Sequence, residues 1–227
     1  MTQALQSVME ELGPKFEKAS GYKLTITFGV SGALAKRIQD GETADLLVST
    51  RNAVDGLIAA GKVAPGFDTT LARSMVGVAV RRGAQKPDIS TTDAFKRTLL
   101  GAKAISYADP AGGGPSGAHF AKVLERLEIA QEMKAKTVFP PVGGGLAARF
   151  LVSGEAEIAV QQIAELISAS GAELVGPLPS DLQLLTIYVA AIPITARGPE
   201  AADELVRFLQ SPEALATMKA KGLESGG

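Results

Sequence analysis

Gly29-Val30-Ser31-Gly32-Ala33-Leu34 is the stretch that decides the reading of this chain. It follows Lys23-Leu24-Thr25-Ile26-Thr27-Phe28, which alternates polar and apolar residues as a strand does. It precedes a run in which Leu34, Ala35 and Ile38 fall on one helical face. A small-residue loop that opens a helix leaves the first backbone N–H groups without helical acceptors. Those groups and the positive end of the helix dipole favour an anion. Ser31 either caps this helix or turns its hydroxyl toward a ligand.

The same arrangement recurs. Asp109-Pro110-Ala111-Gly112-Gly113-Gly114-Pro115-Ser116-Gly117 follows the strand-like segment 103–107 and opens a helix bearing Phe120, Val123, Leu124 and Leu127. Val142-Gly143-Gly144-Gly145 precedes another, with Leu146, Phe150 and Leu151. Ser49-Thr50-Arg51-Asn52 ends a strand and starts a fourth. Four such turns predict one crevice at the carboxyl ends of parallel strands, where ligands sit in open α/β sheets.

Outward from these turns, strands and helices alternate almost throughout. Helices are predicted at 3–20, 31–40, 51–60, 91–99, 115–127, 129–134, 144–153, 162–169, 199–209 and 211–221. Strands are predicted at 23–28, 44–49, 71–82, 103–107, 137–139, 157–161, 173–176 and 184–192, with 62–70 a loop. This is an α/β chain. Two long apolar strands, near 73–82 and 184–195, bracket a self-contained unit. They predict a chain that crosses to a second lobe and returns: residues 1–81 with 187–227 form one lobe, 82–186 the other, and the four turns line the cleft.

Composition narrows the chemistry. The chain has 227 residues and a formal net charge of −1, which points to neither nucleic acid nor an acidic membrane. No apolar run is long enough to span a bilayer. Cysteine is absent and histidine occurs once, as His119. Disulfides, thiol catalysis and thiolate metal sites are excluded. The sequence has no Gly-x-Ser-x-Gly elbow, Walker loop or metal-spaced His/Glu cluster. Neither a metal nor another cofactor is implied. Gly143-Gly144-Gly145 resembles an oxyanion-hole motif superficially, with no nucleophile–base pair beside it. Met1 to Leu5 lack a basic segment followed by an apolar one, so the expectation is either a cytoplasmic protein or a leader upstream.

Several segments resemble the type II periplasmic solute-binding proteins, and among them the molybdate/tungstate-binding branch. They are Ser31-Gly-Ala-Leu-Ala-Lys-Arg-Ile-Gln-Asp-Gly, Ala44-Asp-Leu-Leu-Val-Ser-Thr, Leu57-Ile-Ala-Ala-Gly-Lys-Val, Asp109-Pro with Pro115-Ser-Gly, Ala147-Ala-Arg-Phe-Leu-Val-Ser-Gly-Glu-Ala-Glu-Ile-Ala-Val and Phe208-Leu-Gln-Ser-Pro-Glu-Ala. The resemblance spans nearly the whole chain with the motifs in order. It implies a two-lobed α/β fold, each lobe a mixed, mainly parallel sheet flanked by helices. It also implies a periplasmic clamp that closes on an oxyanion or small organic acid and delivers it to an ABC permease, without catalysis.

Carried over by position, the resemblance places ligand contacts at Ser31, Thr50, Ser116 and near Gly144. Their turns add Gly32, Arg51 and Gly117. The family's oxyanion-binding tyrosine falls at Gln162, which suits a carboxylate or polar organic solute at least as well as an inorganic oxyanion. The family's first strand has no counterpart ahead of helix 3–20. That predicts an unfilled slot in the first lobe's sheet, open to another segment or to a second chain in a dimer.

The bland readings stand beside these. Ser31, Thr50 and Ser116 serve as helix caps, Arg51 as a solvated helix-start cation, His119 as a packing residue and Asp109 as a shaper of its loop. Arg149 faces solvent and Tyr188 packs near the crossing. A stand-alone sensor, like the effector lobes of LysR-type regulators, is the alternative function; an enzyme is the less favoured one.

Overall fold

The computed structural model describes residues 1–141 and 145–226. In chain order the elements begin with α1 (Gln6–Ser20), α2 (Ser31–Gln39), β1 (Leu47–Thr50), α3 (Arg51–Ala59) and β2 (Val63–Arg81). Then come α4 (Thr92–Gly101), β3 (Ile105–Tyr107), α5 (Pro115–Arg126), α6 (Ala130–Lys136) and β4 (Thr137–Val138). The chain goes on through α7 (Arg149–Ser153), β5 (Ile158–Gln162), α8 (Ile163–Ser168), β6 (Ala172–Pro177) and β7 (Leu185–Pro193). It ends with α9 (Pro199–Leu209), α10 (Pro212–Ala220) and β8 (Glu224–Ser225).

The chain forms two compact units, Met1–Ser74 with Thr186–Gly227, and Met75–Leu185. The first division falls inside β2, between Ser74 and Met75, and not after residue 81 as the apolar pattern suggested. The pattern misleads because β2 is one 19-residue strand that also takes in the segment read as a loop. Residues 65–67 are exposed and include Pro65 and the left-handed Gly66, so the strand's first half carries no apolar signature.

In the first unit β1 pairs antiparallel with β7, from Leu47 opposite Ala191 to Thr50 opposite Tyr188, and β8 pairs antiparallel with β2. Leu34 and Ile38 of α2 and Val54 and Leu57 of α3 bury against Leu47, Val189 and Ala191. α1 runs unbroken through Pro14 and ends at Gly21, whose φ of 80° forms the left-handed cap and whose N–H reaches Glu17 O at 3.0 Å.

The predicted strand 23–28 forms no ladder. Met1–Thr2 meets its end through a parallel bridge, Thr2 to Gly29, and the Met1 ammonium donates to Thr27 O at 2.7 Å. The slot expected to be empty is therefore filled over two residues. Gln3 N donates to Gly29 O at 3.0 Å, and Thr2 N donates to Val48 O at 2.8 Å on the other side.

In the second unit the strand order is β2-β5-β3-β4. β3 is parallel to both β5 and β4, whereas β2 is antiparallel to β5 and to β6. One face of this sheet buries Val76, Ile105, Tyr107, Ile158 and Val160 under Phe95, Leu99, Phe120 and Leu124 of α4 and α5. The other face buries Ala79 and Ala159 under Ala147, Ala148, Leu151 and Leu166.

The helix predicted over 144–153 is shorter: α7 has five residues and begins at Arg149. Gly145 has φ +139°, and the N–H of Ala147 is taken by a side chain rather than by a helical carbonyl.

Candidate functional site

In the first unit, the turns that lead into the first 3-10 turn, α2 and α3 carry hydroxylated residues. Ser31 is the first residue of α2 and is buried, at 2% exposure. It does not cap the helix, because the N-cap is Val30, which has no side-chain donor or acceptor to offer. Its Oγ lies 3.3 Å from Oγ1 of Thr2, and its carbonyl accepts from Ser49 Oγ at 3.2 Å. The N–H groups of Ser31, Gly32 and Ala33 precede the first helical bond, Leu34 N to Val30 O. Thr50 is the N-cap of α3, yet its side chain makes no capping bond. Thr2, Ser31, Gly32, Ser49 and Thr50 thus gather at neighbouring turns. Thr2 was missed in the sequence, because no strand pattern marks Met1–Thr2.

Arg51 begins α3, but its guanidinium is committed within the unit. It donates to Asp68 Oδ2 at 2.5 Å, to Thr70 Oγ1 at 3.3 Å and to Asp55 Oδ1 at 3.4 Å. The bond to Asp68, ahead of that to Asp55, holds the arginine's pKa above its usual value.

In the second unit, β3 and β5 are adjacent and parallel, with Tyr107 opposite Val160, so their carboxyl ends lie together. The chain leaves β3 toward β4 on one side and leaves β5 toward β6 and β2 on the other. That reversal marks the crevice at which open α/β sheets bind ligands. Ser116 and Gly117 follow β3, and Gln162 ends β5. The fold therefore brings these three predicted residues to adjoining turns.

α5 begins at Pro115 behind Gly114, an N-cap without a side chain, and Ser116 is buried. The N–H groups of Ser116 and Gly117 lie ahead of the first helical bond, Ala118 N to Gly114 O at 3.4 Å. Gly117 has a packing reason as well: a Cβ there would sit 2.2 Å from the carbonyl oxygen of Ala108. Asp109 shapes its loop by accepting from Ala111 N at 2.9 Å. Gly144 lies outside the described residues.

Behind these turns is a buried polar network. Gln161 Oε1 accepts from Ala147 N at 2.8 Å, and Gln161 Nε2 donates to Gly145 O at 3.2 Å. The Glu165 carboxyl accepts from the Gln162 backbone N–H and from the Gln161 side chain. Gln162 is the N-cap of α8 and Glu165 its third residue, so this is the reaching-back half of a capping box. Burial outweighs both bonds and pushes the Glu165 carboxyl up to about 7.

The remaining polar residues have structural partners. A ring nitrogen of His119 meets Leu182 O at 2.8 Å, which makes it a packing residue. Arg149 is exposed, its guanidinium 5.0 Å from the centre of the Phe150 ring. Tyr188 is buried on β7 opposite Thr50. Among the described residues no group of His, Cys, Asp and Glu could hold a metal ion, and no helix is long and apolar enough to cross a membrane.

The profile of one family, described as bacterial extracellular solute-binding protein, matches residues 1–224. An aconitate isomerase from a Pseudomonas species is 35% identical over 97% of this chain and 84% of its own length. The molybdate-binding protein ModA of Rhodobacter capsulatus is 27% identical over 94% of this chain and 82% of its own. Among solved structures, the Azotobacter vinelandii periplasmic molybdate-binding protein superposes with a TM-score of 0.80 at 22% identity, covering 98% of this chain and 96% of that one.

Proposed function

The chain belongs to the bacterial extracellular solute-binding proteins, in the type II branch that includes the molybdate-binding proteins, and from that premise we propose that its solute is a small polycarboxylate of the aconitate class. In this reading it works outside the cytoplasmic membrane and hands the solute to an ABC permease. The observation that carries the reading is the donor set that each unit presents at its turns. Buried Ser31 and Ser116 stand at helix starts with no side-chain cap, and each leaves N–H groups for an anion. Thr2, Thr50 and Gln162 add neutral polar groups. Arg51, the cation nearest these turns in sequence, is occupied by Asp68. Within each unit, such groups bind carboxylates through hydrogen bonds rather than counter-charge. The relative at 35% identity supports a carboxylate as the anion, and Gln162 offers an amide to it.

A second reading has one specific observation in its favour, the name of that relative. That relative is named for isomerising aconitate, and Glu165 is a buried carboxyl, pushed up to about 7 by desolvation, that suits proton exchange at neutral pH.

Calorimetric titration with cis-aconitate, trans-aconitate, citrate, sulfate and molybdate tests the first reading. Binding of the carboxylates in preference to molybdate and sulfate is the expected result, and binding of molybdate alone overturns it. Proton NMR of cis- or trans-aconitate incubated with the protein tests the second. Interconversion at a rate proportional to protein concentration makes the chain an isomerase, and an unchanged spectrum rejects that activity.

A further inference from the structure

The network behind the second unit's turns has a property that the binding reading does not use. Gln161 bonds both Gly145 O and Ala147 N, so it seats the turn 145–147 on the sheet. Glu165 in turn bonds the Gln161 side chain and is itself buried, at 8% exposure. We propose that Glu165 is a positioning residue that works as a proton-operated latch: neutral, it stays buried and the turn stays seated; ionised, it reaches water only by unseating the turn. The proposal rests on the reading that this unit's turns bind the solute.

The physical argument is one of desolvation. A buried carboxylate needs a counter-charge or full hydration. Two hydrogen bonds favour the ionised form here, and burial opposes it more strongly. Among the described residues, no charge on the neighbouring elements offsets the difference. Glu157, just before β5, is bonded to Lys103 N, and Glu173 of β6 pairs with Lys86. Arg149 of α7 is exposed beside Phe150, and Arg81 of β2 is exposed at the strand's end. Opening the turn hydrates the carboxylate, so ionisation favours the open state. An anionic solute adds repulsion of the same sign. The neutral form is thus the closed, binding-competent one.

Amide hydrogen exchange of residues 147–151 in the solute-free protein reads the latch directly. After correction for the intrinsic pH effect, exchange there should accelerate about tenfold between pH 6 and pH 8, the ratio that a carboxyl moving from about 7 to its solvated value produces. Glu165→Gln should flatten the profile at the slow limit, and Glu165→Met is the alternative should the glutamine variant fold poorly. With trans-aconitate as the probe, the wild-type dissociation constant should rise by a similar factor over that range and stay flat in Glu165→Gln. A flat exchange profile in the wild type, or a slope that survives in both variants, overturns the latch. Accelerating exchange with no binding of trans-aconitate at any pH upholds the latch and overturns the solute.

Discussion

The hydroxyls of Thr2 and Ser31 lie 3.3 Å apart at the carboxyl ends of neighbouring extended segments, both residues almost wholly buried. Neither residue caps a helix: Val30 is the N-cap of α2, and Thr2 makes no side-chain cap bond to the 3-10 turn that follows it. Two buried hydroxyls beside uncapped N–H groups concentrate donors at one point. That point is better suited to a negatively charged oxygen than to helix stability.

Ser31→Ala should therefore separate binding from folding. Loss of the bond to Thr2 costs about 1 kcal/mol of stability. A hydrogen bond to a charged ligand contributes about 1.5–3 kcal/mol, so affinity for the bound carboxylate should fall at least about tenfold. Calorimetric titration together with urea unfolding measures both. A loss of stability with unchanged affinity would remove Ser31 from the binding site.

Arg51 should behave in the opposite way. Its guanidinium is spent on Asp68, Asp55 and Thr70. The group is partly exposed, so Arg51→Met should lower stability by about 1 kcal/mol, within the range of surface ion pairs. Affinity should stay within about twofold. A drop beyond tenfold, with folding intact, would mean that the arginine leaves Asp68 for the solute.

Gly117→Ala tests the close approach of α5 to β3. The added Cβ meets the Ala108 carbonyl oxygen at 2.2 Å and its carbon at 2.9 Å, both backbone atoms. Backbone cannot swing aside as a side chain can, so overpacking here should cost about 3 kcal/mol. Scanning calorimetry should show a melting temperature lower by about 5–10 °C. An unchanged melting temperature would show that the helix start has room to shift.

Glu165 also makes a global prediction about pH. Its folded pKa of about 7 lies above its ordinary value of 4.5, because burial disfavours the charge. The folded state therefore holds this proton over a range in which the unfolded chain has released it. Its contribution to stability is full below about pH 4.5, declines as pH rises through that window and levels off above about 7. Glu165→Gln has no proton to lose. Its stability relative to wild type should rise by up to about 3 kcal/mol between pH 4.5 and pH 8. Urea unfolding of both proteins across that range checks the sign, and a constant difference would refute it.

The sequence by itself determined the alternation of strands and helices, because apolar spacing at periods of two and 3.6 is a local property. It also determined which turns carry small and hydroxylated residues, so Ser31, Thr50, Ser116 and Gln162 were legible as candidates. The use made of those residues was decided by partners distant in sequence. Asp68 removes Arg51 from the pool of free cations, and Thr2 joins Ser31 across a strand too short to leave a periodic trace. Ala108 gives Gly117 a steric reason to be glycine, and Gln161 delays the start of α7 by taking the Ala147 N–H. The desolvation of Glu165 likewise comes from a burial that only the folded chain provides. Hydrogen bonding, close approach and burial depend on what the folded chain brings near, and a linear pattern does not encode that.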